Sequence, residues 1–113
     1  MNSFLIFFYL LDQCYDLCRE DDLGGFLGSI SPEILDDGLP ADIAVFHDWE
    51  VEKNEPILEK SIVFLERYEK KYGYSFKETK EILKSNKSLE LLRIAKKKAE
   101  YNLMNTEKTA NKI

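Results

Sequence analysis

The chain has 113 residues, of which 44% are apolar and 33% charged, with a formal net charge of −5. That length suits one domain with one core and leaves no room for a separate catalytic domain. The apolar fraction excludes a disordered chain, and the scarcity of Gly (5) and Pro (3) argues against a β-sandwich with many tight turns.

The net charge hides an asymmetry. Residues 1–55 carry 13 Asp or Glu against only Arg19 and Lys53, a balance of −11. Residues 56–113 carry 14 Lys or Arg against 8 Asp or Glu, a balance of +6. An acidic first half and a basic second half point to a partner recognised by charge.

The first predicted element is a helix over residues 1–20. Phe4, Phe8, Leu11, Tyr15 and Cys18 recur at helical spacing, and Leu5, Tyr9 and Leu10 widen the stripe. Asn2 or Ser3 can cap its start. So wide an apolar face predicts a central helix covered on more than one side. The run Phe4–Leu11 is too short to span a bilayer and has no basic residue before Arg19. We therefore expect a buried helix and not a signal segment, and no membrane. Two cysteines cannot make a disulfide framework, so a reducing, cytoplasmic setting is expected.

A short second helix fits Asp21–Ile30, with Asp21 or Asp22 at its N-terminus and Leu23, Phe26, Leu27 and Ile30 inward. Gly24, Gly25 and Gly28 are expected to let it pack closely on the first helix. Asp36-Asp37-Gly38-Leu39-Pro40 reads as a turn. Asp42 then caps a helix over 42–54 that Trp49 anchors to the core. Pro56 opens the next helix at its first position, with Leu58, Ile62, Leu65 and Tyr72 on one stripe, Phe64 and Tyr68 beside it, and Gly73 as its stop. Ser75-Phe76-Lys77-Glu78 has the form of a capping box, so a helix is expected from Ser75. Ser88 is placed to cap a last helix with Leu89, Leu92, Ala95, Ala99 and Leu103 inward, fraying over 105–113. The expected fold is all-α: a compact single-domain bundle of about five or six helices over residues 1–104, with an acidic portion over residues 1–54 and a basic portion over residues 56–104.

No catalytic constellation is expected. Zinc needs paired ligand motifs, whereas Cys14 and Cys18 share one helix face and His47 is the single histidine. A Cys–His nucleophile needs an electropositive setting, and the turn after Cys18 is acidic. The glycines of 24–28 lack the strand before and the Lys-Ser/Thr after that a phosphate loop requires. Alternating calcium ligands are absent. Lys96-Lys97-Lys98 point three ways on a helix, and Glu90 and Glu100 interrupt the surrounding basic patch, so direct nucleic-acid binding is disfavoured. We expect no enzyme, no metal and no cofactor. Asp21, Asp22, Asp36, Asp37, Asp48, Glu50 and Glu52 are the expected contacts to a basic partner. An acidic protein of this kind can occupy the phosphate-binding cleft of a nuclease.

One stretch resembles a known family. Asp21-Asp22-Leu23-Gly24-Gly25-Phe26-Leu27-Gly28-Ser29-Ile30-Ser31, then Asp37-Gly38-Leu39-Pro40-Ala41-Asp42-Ile43-Ala44-Val45-Phe46-His47-Asp48-Trp49, follow an aromatic-rich first helix. Together they resemble small bacterial immunity proteins of contact-dependent growth inhibition and polymorphic toxin systems. The resemblance covers about residues 4–50. It departs at Ile43, where the family pattern has proline, and at Phe46, where it has tryptophan. It implies a protein that binds and neutralises a cognate toxin domain, with a nuclease (RNase or tRNase) as the expected target. The alternative is a small helical adaptor or nucleic-acid-associated regulator using the basic surface of Lys77–Lys98. Exposed aromatics would equally support a homodimer.

Overall fold

In the computed structural model, which describes residues 2–30, 43–52 and 56–111, six helices and no strand are found among the described residues. They are α1 (Asn2–Cys18), α2 (Asp21–Ile30), α3 (Ile43–Val51), α4 (Ile57–Tyr72), α5 (Lys77–Leu83) and α6 (Ser88–Asn111). The all-α bundle read from the sequence is the observed fold.

α1 is the hub. Its eight successive residues Phe4–Leu11 are all buried, which only a helix covered on every side permits. α6 lies antiparallel along it. Gln13 Nε2 donates to the Leu91 carbonyl at 2.8 Å, and nearer the other end Asn102 Nδ2 donates to the Tyr9 hydroxyl at 2.6 Å. Ala95 and Ala99, both fully buried, keep the two backbones close. Leu89 departs from expectation: it is 71% exposed. The line Ser88, Ala95, Ala99 faces α1, and Leu89 stands one residue round from it on the solvent side. The α6 backbone stays helical to Asn111, and the Leu103 side chain lies outside the described residues.

Trp49 anchors α3 as its aromatic bulk requires. It is fully buried, stacks on Phe7 with centroids 4.3 Å apart, and meets Phe64 edge-on at 5.5 Å. Its Nε1–H donates to Ser3 Oγ at 3.1 Å, so burial leaves no orphan donor. The Lys60 ammonium sits 4.2 Å over the same ring. Asp42, and the turn of Asp36 and Asp37, lie outside the described residues.

α4 ends where expected: Gly73 takes φ 78° and its N–H closes on the Glu69 carbonyl at 3.0 Å. Pro56 sits one position earlier than expected, as the N-cap. Tyr72 is not in the buried stripe but 56% exposed, because the last turn of α4 runs past the core.

The glycines of α2 divide. A Cβ on Gly24 would meet Tyr15 Cε1 at 2.8 Å, so this one does permit close packing on α1. Gly25 and Gly28 face open space, which corrects the expectation that all three serve packing.

Candidate docking surface

α5 shows how the two halves are joined. It starts at Lys77 and not at Ser75, and its N-cap residue Phe76 supplies no side-chain bond. The capping box is not formed. Glu20, from the link between α1 and α2, caps the helix instead. Its carboxylate accepts the Glu78 N–H at 3.0 Å, the Thr79 N–H at 3.2 Å and the Thr79 hydroxyl at 2.7 Å. An anion on free N–H groups at a helix start is favourable both as hydrogen bonding and against the dipole. Arg19 takes the left-handed conformation (φ 52°) that turns the chain so that Glu20 reaches α5.

Other acidic residues of the first half also reach the second half. Asp22 Oδ2 accepts the Ser75 N–H at 2.7 Å. Asp48 Oδ2 accepts the Tyr68 hydroxyl at 2.7 Å. The Glu52 carboxylate, 4% exposed, lies 2.8 Å from Arg67 Nη2. Of the seven acidic residues expected to face a partner, Asp22, Asp48 and Glu52 therefore hold the fold together. Asp21 and Glu50 are exposed on α2 and α3, which pack against each other. Asp36 and Asp37 lie outside the described residues. Sequence charge carries sign but not direction, so nothing in it separates these groups.

Basic residues of the second half are engaged as well. Lys80 Nζ donates to Glu69 Oε1 at 2.6 Å and lies 3.7 Å from Glu66. Partial burial pushes the Glu69 carboxyl up. The Lys80 hydrogen bond, the Phe76 N–H and the charges of Lys80 and Lys84 outweigh that and hold it below its ordinary value. The Glu69 hydrogen bond in turn raises Lys80 against a smaller burial penalty. On α6, Arg93 pairs with Glu90 one turn earlier. These pairings thin out the basic surface that a nucleic acid would need.

The thiols offer little chemistry. Cys14 is fully buried, and burial, with Cys18 beside it, pushes its thiol up to about 12. Such a thiol stays protonated at neutral pH. Cys18 Sγ lies 3.9 Å from Thr79 Oγ1, and His47 is exposed on α3. Among the described residues, no three His, Cys, Asp or Glu gather into a metal site, and no helix is long and apolar enough to cross a membrane.

Sequence reasoning puts Tyr72 on the core stripe of α4 and assigns Tyr74 no role. Tyr72 leans on Tyr68 at 5.0 Å, and Tyr74 stacks on buried Phe76 at 5.2 Å. Their position beside the Gly73 helix stop was the available signal: the chain leaves the core there. In comparisons with known proteins, no family model, curated protein or solved structure matches this chain.

Proposed function

We propose that this chain is an immunity protein: it binds a cognate toxin domain, expected to be a basic nuclease, and covers its active or substrate-binding surface without turnover. It would act in the cytoplasm, where such a toxin meets its substrate. The observation that carries this reading is the placement of Asp21 and Glu50. They are exposed on two helices that pack together, within the segment that resembles immunity proteins. The polarised charge of that half favours a basic partner and fast association. α3, which carries Glu50, is held in place by Trp49 on Phe7 and Phe64, so docking there needs little reordering.

The test mixes the full chain with a nuclease domain taken from a neighbouring toxin gene and measures affinity and RNA cleavage. A complex that blocks cleavage is expected. Glu50→Lys, and separately Asp21→Lys, should weaken it about tenfold or more, with a thermal melt of each variant to separate lost binding from lost folding. No complex, or full protection after both reversals, overturns the reading.

A further inference from the structure

A second surface lies at the C-terminal end of α4. Two tyrosines flank Gly73 there, one exposed and one half-buried, with Tyr72 and Tyr74 centroids 6.4 Å apart. Both are held from behind. Tyr72 rests on Tyr68, which stacks on fully buried Phe64 at 4.7 Å. Tyr74 rests on Phe76 and meets fully buried Phe26 at 5.9 Å. Rigid, backed tyrosines are what protein interfaces use as anchors, since little rotamer freedom is lost on contact.

The rim of this patch carries both signs. Lys70 and Lys71 stand in the last turn of α4, exposed, with Lys71 Nζ 5.3 Å over the Tyr72 ring. Asp21 and Asp22 stand in the first turn of α2. The Asp22–Ser75 hydrogen bond ties that turn to the segment just after Tyr74. A purely basic partner would meet Lys70 and Lys71 here, and a purely acidic one would meet Asp21. A two-fold axis through the tyrosines solves both problems, because it sets the acidic turn of one copy against the basic turn of the other.

We infer that the Tyr72–Tyr74 patch is the docking site for a second copy of this chain, in an isologous dimer with aromatic rings at its centre and Asp21 opposite Lys71 at each edge. Asp21 is shared with the toxin-facing surface proposed above, whereas Lys71, Tyr72 and Tyr74 are not, and measuring the chain alone tests the dimer without any toxin.

The experiment is analytical ultracentrifugation of the full chain alone, over a concentration series at low and high salt. A concentration-dependent dimer, weakened by salt, is expected. Tyr72→Ala should raise its dissociation constant at least about tenfold. Lys71→Glu and Asp21→Lys should each leave the chain monomeric, because each sets like charges against each other at both edges. Mixing those two variants should restore a dimer, since every edge of the mixed pair again joins opposite charges. Circular dichroism melts keep loss of folding separate from loss of association. A chain monomeric at all concentrations, a dimer indifferent to Tyr72→Ala, or two variants that do not pair on mixing would each overturn the inference. A monomer in which Tyr72→Ala instead weakens toxin binding would overturn it and assign the patch to the toxin.

Discussion

The first half, α1–α3, and the second, α4–α6, differ in charge, and they use charge differently. In the first half, carboxylates point across the molecule: Glu20 to the start of α5, Asp22 to Ser75, Asp48 to Tyr68 and Glu52 to Arg67. The ion pairs Glu69–Lys80 and Glu90–Arg93, by contrast, lie within the second half. The acidic half is thus both a surface and a set of clamps. A charge count weighs Asp21 and Asp22 equally, although one is exposed and the other holds a backbone N–H. What decides the role of a carboxylate here is whether an unsatisfied donor lies within reach.

The comparison breaks most severely at the aromatic core that both halves share. Trp49→Ala removes a fully buried indole, its stack on Phe7 and its contact with Phe64. A loss of about 3–5 kcal/mol is expected in urea unfolding, a large fraction of the stability of a domain this size. Leu89→Ala, on the solvent side of α6, should change stability by less than about 0.5 kcal/mol. A similar loss at both sites would contradict a core centred on Trp49 with Leu89 outside it.

The clamps come next. Glu20→Ala strips three hydrogen bonds from the start of α5 and should cost about 1–2 kcal/mol, while Glu78→Ala, the partner in a capping box that does not form, should cost far less. The reverse order would restore the local cap. How far the fold could be read from sequence follows the same division. Helical periodicity, the Gly73 stop and Trp49 were legible because neighbours three and four residues apart determine them. Glu20 was not, because it acts on donors 58 and 59 positions away and no local pattern records that distance. Ser75 and Glu78 supplied a local pattern that the distant carboxylate overrides. Tyr72 fitted the periodic stripe, but periodicity does not say where the core ends along a helix. Of the expected contact residues, sign and sequence position were legible, and direction was not.

Acid sharpens the contrast further. Glu69 is held below its ordinary value of 4.5, so the unfolded chain binds that proton more readily than the folded one. Its stabilising contribution is therefore full above the unfolded carboxylate range and is lost as pH falls through the lower folded value. Lys80 is raised, so its contribution is full below its ordinary value of 10.5 and is lost as pH climbs through the higher folded value. Glu69→Gln should lower stability at pH 7 and flatten the acid limb of a melting-temperature profile. An acid limb unchanged in that variant would show that the Glu69–Lys80 pair contributes nothing to the pH response.

Among the substitutions expected to move stability, those on α2 are small, and they differ in sign between adjacent glycines. Three glycines in a ten-residue helix each cost about 0.5–1 kcal/mol relative to alanine. At Gly25 and Gly28 a methyl group would enter open space, so Gly25→Ala and Gly28→Ala should each recover about that amount in thermal unfolding. At Gly24 the methyl would press on the Tyr15 ring at 2.8 Å, and that ring also lies under the Arg19 guanidinium. Displacing it disturbs the left-handed turn that presents Glu20 to α5, so Gly24→Ala should recover none of the gain and lose stability instead. Equal gains at all three positions would show that Tyr15 yields freely and that the turn leading to the Glu20 clamp does not depend on close packing between α1 and α2.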